Sequence, residues 1–369
     1  MKRLFKILLC VAKSEKIFSV EKKKFVIFDC VNSDILSKLL PKNQTHIISA
    51  RVYLIKKILK NFKTISFILK NFFKRKPQLN YFISLINQIQ PKFVLTTIDN
   101  SFNFSILSKY FDGKTTFVAI QNATRGDIYR NVNKTNKLLY FSNYMGFSEF
   151  DLEVMKNNNI KIKNFFSFGS LRNSYYSKYL HKDDNEKKNY DICVVCKRTF
   201  RNGAKSSSEA AKDSIIVLKF LAKYSTKHNK KIVIQSKSQF NSAENSFISK
   251  LFAEVDYKIS WRDLQSFSSY RAISSSKLVI GPPSSLLREA SFYPNTKILC
   301  FNTEKKFMSL PFEGLNILEE NSYEKFEERI NQILQFNYEE YIKKINKKHE
   351  YFMQKKNRLN FLLEFLEIK

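Results

Sequence analysis

Ser285 and Glu289 stand four residues apart in a segment, Ser276 to Ala290, whose punctuation predicts a strand, a tight turn and a helix. Leu278 to Ile280 is a short apolar run. Gly281, Pro282 and Pro283 stop it, and Ser284 or Ser285 offers an N-cap. Leu286, Leu287, Ala290 and Tyr293 then follow at helical spacing. A helix that starts at the carboxyl end of a strand turns its unpaired amides toward that end, which makes a ready site for an anion. The four-residue spacing sets the hydroxyl and the carboxylate on one helix face. The pair suits a phosphate at the helix start and a ribose diol on the carboxylate. The plainer reading is an ordinary capped helix with Glu289 in solvent.

Further polar residues gather at other strand ends. Asp99 and Asn100 follow the apolar run Phe93 to Ile98, and Gln121, Asn122, Arg125 and Asp127 follow Thr116 to Ile120. The carboxyl edge of an open α/β sheet is where ligands bind. An Arg125–Asp127 ion pair would make that second loop purely structural. Cys193 and Cys196 form a C-x-x-C inside an apolar strand pattern with no second pair for zinc, which favours core packing. The four histidines show no metal-binding spacing.

Three segments carry a resemblance. They are Gly281-Pro-Pro-Ser-Ser-Leu-Leu-Arg-Glu-Ala290 with the strand Lys297 to Phe301 after it, Phe117-Val-Ala-Ile-Gln-Asn-Ala-Thr-Arg-Gly-Asp127, and Phe166-Ser-Phe-Gly-Ser-Leu-Arg-Asn173. The first looks like the donor-site segment of bacterial surface-carbohydrate and capsule biosynthesis proteins, which are similar to glycosyltransferases of the GT-B fold. With their flanks the three span about residues 90 to 305. The resemblance implies an α/β chain with two Rossmann-like domains of parallel sheet facing across a cleft. It implies residues 1–180 as an acceptor domain, 190–334 as a nucleotide-donor domain, and 335–369 as a helix returning to the first. The expected activity is transfer of a sugar from a nucleotide-activated donor to a surface-polysaccharide or lipid-linked glycan acceptor. A CDP-polyol phosphotransferase of the same architecture is the alternative.

Sugar transfer needs a stabilised leaving diphosphate, a held ribose and a base for the acceptor hydroxyl. Gly281, Ser284 and Ser285 are candidates for the diphosphate, with Arg198 and Lys237, each just past a predicted strand end, as cations. Glu289 is the candidate for the ribose. Gly169, Ser170 and Arg172 form a second strand-end turn expected to face the donor, or else a simple helix cap. Gln121, Asn122 and Arg125 are expected at the acceptor side. Asp127 and Asp99 are the candidate bases, Asp127 slightly ahead because its loop carries the resemblance. Many related transferases use a histidine there, and none of the four falls in a matching motif. No Asp-x-Asp motif appears, consistent with chemistry that needs neither metal nor other cofactor beyond the nucleotide-sugar co-substrate.

The elements that must position these residues alternate along the chain. Strands are predicted at Lys24–Asp29, Thr45–Ser49, Phe93–Ile98, Thr116–Ile120, Leu138–Phe141 and Asn164–Phe168, with helices between them. The pattern restarts at Asp191 after a polar tract, Tyr179 to Asn189, that reads as a linker. Val52 to Phe73 shows helical spacing rich in aromatics and lysines, either a core-facing helix pair or an amphipathic surface for a membrane or lipid-linked acceptor. Tyr338 to Ile368 is predicted helical, and Lys297 to Phe301 is predicted to close the second sheet.

A chain of 369 residues suits two α/β domains better than one core. The net charge of +31 invites nucleic acid. Lysine, however, far outnumbers arginine and is scattered, and Lys, Asn, Ile and Phe rise together, which argues for composition bias and leaves a basic nucleic-acid-binding protein as the weaker alternative function. Anionic lipid and nucleotide substrates are milder uses of that charge. Five scattered cysteines suggest a reducing compartment, and Leu4 to Ala12 reads as a strand or weak helix rather than a signal peptide. A cytoplasmic enzyme with peripheral membrane contact is the expectation.

Overall fold

Phe25 to Phe28, Phe93 to Thr96 and Leu278 to Ile280 are runs with no polar side chain apart from Thr96, and strands of that kind must be covered on both faces. In the computed structural model they are. It describes residues 12–51, 54–125, 138–158, 160–180, 188–201, 204–205, 209–303, 310–345, 349–354 and 358–368.

The strands are numbered in chain order. A short parallel pair, β1 (Glu15–Ile17) and β4 (Lys57–Leu59), flanks the first lobe. The first sheet comprises β2 (Phe25–Phe28), β3 (Thr45–Ile48), β5 (Phe93–Thr96), β6 (Thr116–Ile120), β7 (Tyr140–Gly146) and β8 (Lys161–Ser167). A small antiparallel ribbon pairs β10 (Phe200–Arg201) with β11 (Ala204–Lys205). The second sheet comprises β9 (Tyr190–Val195), β12 (Ile232–Gln235), β13 (Tyr257–Ser260), β14 (Ser276–Gly281), β15 (Lys297–Phe301) and β16 (Ile317–Leu318).

Both sheets are parallel throughout their described ladders. The first runs β3-β2-β5-β6-β7-β8 and the second β13-β12-β9-β14-β15-β16. Each order reverses once, between β2 and β5 and between β9 and β14. At such a point the two loops leave in opposite directions and open a crevice at the strand ends. The expectation of two Rossmann-like parallel sheets holds.

Two apolar clusters hold the lobes, and the larger runs from the second sheet through Phe168, Leu171 and Tyr176 into one face of the first. The last segments cover the first lobe. Gln354 N donates to Phe147 O at 2.9 Å, Ser148 Oγ to Tyr351 O at 2.8 Å, and Phe361 and Phe365 pack on Phe166.

Three expectations change. The long helical pattern from Val52 breaks into β4 and a helix, Phe62–Lys70, because Asn61 caps the helix by accepting the Thr64 amide at 2.9 Å. Residues 52 and 53 lie outside the described set. The Tyr338–Ile368 pattern is three short helices, Tyr338–Lys344, His349–Phe352 and Leu359–Phe365. Lys297–Phe301 is not the sheet's edge, since β16 pairs beyond it. Most of Leu4–Ala12 and of the Tyr179–Asn189 tract fall outside the described residues.

Candidate active site

Both switch points open onto one cleft of about 510 Å³ between the lobes. That size suits a compact organic ligand, for which clefts of about 300–1,000 Å³ are usual. Asn32 and Thr97 enter it from the ends of β2 and β5, and Lys197 and Ser285 from the ends of β9 and β14.

Pro283 to Leu286 and Glu289 line this cleft, and the segment forms the predicted helix, Ser285–Ala290. Ser284 is the N-cap, accepting the Leu287 amide at 3.1 Å. Ser285 crosses between lobes instead, its Oγ accepting the Thr124 amide at 2.9 Å. Glu289 is 6% exposed, which removes the reading of a solvated carboxylate. Its Oε1 accepts hydrogen bonds from Ser170 of the first lobe and from Tyr270 at 3.0 Å. Burial raises the Glu289 pKa against those two hydrogen bonds and the charges of Arg172 and Arg288.

Gly281 and Gly169 are not among the cleft-lining residues; packing explains both. A Cβ on Gly281 would lie 2.4 Å from Val195 O, so β14 could not sit against β9. Gly169 has φ +86°, and a Cβ there would lie 2.8 Å from Gln354 O. The turn frees Ser170 to cap the next helix by accepting the Asn173 amide while donating to Glu289.

Cations converge on the cleft from three directions. Arg172 comes from the first lobe, Lys197 and Lys237 from the ends of β9 and β12, and Arg262 from the loop after β13. Burial, then the Lys237 charge, pushes the Lys197 pKa down to about 8. Desolvation, then Arg262 and Arg198, lowers Lys237. Burial, then Arg172 and Arg198, lowers Arg262. For Arg172 burial works in the same direction, but hydrogen bonding and charge from Asp34 outweigh it and hold its pKa up. Its Nη1 is buried and has no hydrogen-bond partner among the described residues. Groups that depress one another this way are relieved by a bound anion.

Arg198 acts on this cluster through its charge, yet is itself exposed and not among the cleft-lining residues. Sequence reasoning missed Lys197, Arg262 and Tyr270. Lys197 directly follows an apolar strand run, a signal that was present. Arg262 follows β13, whose short alternating sequence Tyr-Lys-Ile-Ser is hard to recognise as a strand.

On the facing side Gln121, Asn122 and Arg125 all line the cleft. Arg125 does pair with a carboxylate, but with Asp99. Its Nε donates to Asp99 Oδ2 at 2.9 Å and its Nη2 to Asp99 Oδ1, while Tyr144 Oη donates to Oδ2 at 2.8 Å. Asp99, expected as a candidate base, is wholly buried and not among the lining residues, and its carboxylate anchors Arg125. Arg125 also donates to Asn122 Oδ1 at 2.6 Å. Gln121 bonds Asp151 at 2.7 Å and the Phe147 amide at 2.9 Å. Asp127 lies outside the described residues. Of the lining residues, Glu289 and Asp263 carry carboxylates and none is a histidine.

Cys193 and Cys196 are buried in β9 and just past it, and burial raises both thiol pKa values, as fits core packing. Among the described residues no group of His, Cys, Asp and Glu is placed to hold a metal ion.

No family model matches the chain, and neither does any curated protein. Solved structures do. UDP-GlcNAc 2-epimerase from Neisseria meningitidis, bound to UDP-GlcNAc, superposes with a TM-score of 0.55 at 12% identity, covering 93% of this chain and 99% of that one. Staphylococcus aureus MnaA, solved with UDP, gives 0.55 at 12%, with 94% and 98% covered. UDP-GlcNAc 2-epimerase from Methanocaldococcus jannaschii, with UDP-GlcNAc and UDP, gives 0.50 at 11%, with 93% and 99% covered. At such identities the likeness is one of fold, and that fold is GT-B: two Rossmann-like lobes facing across a cleft.

Proposed function

We propose that this chain is an enzyme that binds a nucleotide-activated sugar in the interlobe cleft and transfers the sugar to a hydroxyl of a surface-glycan or lipid-linked acceptor. One observation carries the reading: Arg172, Lys197, Lys237 and Arg262 surround a cleft whose floor holds the buried carboxylate of Glu289. A nucleoside diphosphate needs both features. The cations meet the diphosphate and stabilise the charge that grows on it as the sugar leaves. Glu289 accepts from the ribose diol, its Oε1 held in place by Ser170 and Tyr270. Ser284 and Ser285 sit beside the phosphates. Asn122 and Arg125 face the acceptor, and Asp127, two residues beyond that lining loop, is assigned as the base.

The solved neighbours bound to UDP and UDP-GlcNAc support uridine as the first nucleotide to test. Their near-complete mutual coverage also favours a second reading, isomerisation of the bound nucleotide-sugar with no acceptor. A thermal-shift screen with UDP, GDP, CMP and CDP on wild type and Glu289→Ala tests the shared claim. A stabilising nucleotide whose effect shrinks in the variant is expected. Equal shifts would remove Glu289 from the site, and no shift at all would end the nucleotide reading. Incubation with UDP-GlcNAc then separates the two chemistries. Transfer releases UDP only with acceptor, whereas isomerisation yields a new UDP-sugar of unchanged mass without one.

A further inference from the structure

The helix Phe62–Lys70 is amphipathic the wrong way round. Its inward side carries Thr64, 1% exposed, in a polar seam: Gln88 Nε2 donates to Thr64 Oγ1 at 2.9 Å and Ser84 Oγ donates to it at 3.2 Å. Asn61 closes the seam by donating to Gln88 Oε1 at 2.7 Å. Phe67 gives a partly buried apolar contact on the same side. The outward side shows Phe62, Ile65 and Leu69 at helical spacing, and the turn after the helix adds Phe72 and Phe73. Phe62 is 84%, Leu69 67% and Phe73 98% exposed. A helix on a water-facing surface puts its phenylalanines inside and its threonines outside. Five large apolar side chains left uncovered together mark an interaction surface.

The charge around this patch identifies the partner. Lys60, Lys63, Lys70, Lys74 and Lys76 are exposed beside it, and the chain from Ile35 to Ile98 contains no Asp or Glu. Elsewhere acidic residues punctuate the lysines; within this stretch none does, and the carboxylates that pair with Lys57 and Lys92, Glu15 and Glu367, come from outside it. Aromatic and leucine side chains ringed by lysine fit the interface of an anionic bilayer, where the apolar groups enter the headgroup boundary and the ammonium groups meet lipid phosphates. No described helix is long and apolar enough to cross a membrane, so contact through this patch would be along the surface.

We propose that the Phe62–Lys76 surface docks the protein onto membranes rich in anionic lipid. This docking is independent of the chemistry in the cleft. It would bring the first lobe, the expected acceptor side, to the bilayer.

Flotation of the full chain with vesicles tests it. Vesicles of phosphatidylcholine alone are compared with vesicles in which a third of the lipid is phosphatidylglycerol. Two triple variants, Phe62→Ser/Leu69→Ser/Phe73→Ser and Lys63→Glu/Lys70→Glu/Lys74→Glu, change only exposed residues. Wild type is expected to float with the anionic vesicles and not with the neutral ones. Each variant is expected to lose binding by about tenfold or more while keeping its melting temperature. Failure of wild type to bind anionic vesicles would overturn the proposal. So would full binding by both variants, which would place the contact elsewhere. Light scattering that shows a wild-type dimer and a monomeric serine variant would assign the patch to a second copy of this chain instead.

Discussion

Arg288 and Asp151 meet in a buried bidentate pair across the two lobes. Nη1 donates to Oδ1 at 3.0 Å and Nη2 to Oδ2 at 2.7 Å. The same guanidinium donates through Nε to Phe352 O at 2.8 Å, and the same carboxylate accepts from Gln121 and the Ser148 amide. Arg288 precedes Glu289 on one helix, so this pair fixes the height at which the Glu289 carboxylate meets the cleft. The start of the first-lobe helix Glu149–Asn157, the second-lobe helix and the returning carboxyl-terminal segment are tied at one point.

Breaking that pair leaves a charge buried without its partner. Asp151→Ala is expected to cost roughly 3–5 kcal/mol in urea denaturation. The double change Asp151→Leu with Arg288→Met removes both charges and is expected to be milder than the single one. A double variant that costs as much as the sum of its singles would show that the two residues do not act together.

Glu289 links stability to pH. Its folded pKa is raised by burial above that of the unfolded chain, so its contribution is full below the ordinary carboxylate range and is lost as pH rises through the raised value. Glu289→Gln keeps an Oε1 acceptor for Ser170 and Tyr270 and carries no charge. Between about pH 4 and neutrality, wild type is expected to lose melting temperature relative to this variant. Parallel curves for the two proteins would contradict the raised pKa.

Lys197, pushed down to about 8, would give the proposed nucleotide binding a pH dependence. The protonated amine is the form that meets a phosphate, so affinity is full below about pH 8 and falls as pH rises through it. Titration calorimetry of the stabilising nucleoside diphosphate from neutral to alkaline pH should show this fall in wild type. Lys197→Met should bind about tenfold more weakly at neutral pH and lose the dependence. A variant that binds as wild type does would remove Lys197 from the phosphate site.

Gly281→Ala tests the close approach of β14 to β9. The added Cβ would lie 2.4 Å from Val195 O, where a backbone carbonyl cannot swing aside. A loss of about 1–3 kcal/mol is expected, with a matching loss of nucleotide binding only if the strands part. Unchanged stability would show that the turn has slack.

Much of the scaffold was legible because it is local. The apolar runs at Phe25, Phe93, Phe117, Ile192, Ile232 and Leu278 became strands, since a short apolar run between turn residues has few other ways to bury itself. The cap at Ser284 and the breaks at Gly281 and Pro283 were legible for the same reason. The site was legible only in outline. Ser285, Glu289, Ser170 and Arg172 were singled out from strand-end position and the resemblance, and all four line the cleft, but nothing local said that Ser170 would bond Glu289, 119 residues away. The pairing of Asp99 was not legible because its partners come from elsewhere, Arg125 from the loop after β6 and Tyr144 from within β7, and Arg262 was missed because its strand carries too few apolar residues to stand out.

What the sequence by itself determined is the alternation of strands and helices, the doubling of the pattern and the stretch that carries the switch-point turn, because hydrophobic period and turn chemistry act over a few residues. Only the tertiary structure decided which charges face one another. It buried Glu289, which the sequence had left open between solvent and a site, gave Arg125 to Asp99, gathered four cations around one cleft and left Phe62, Leu69 and Phe73 in the open. Burial and charge pairing depend on what the rest of the chain brings alongside, and that distance in sequence is what a linear pattern does not carry.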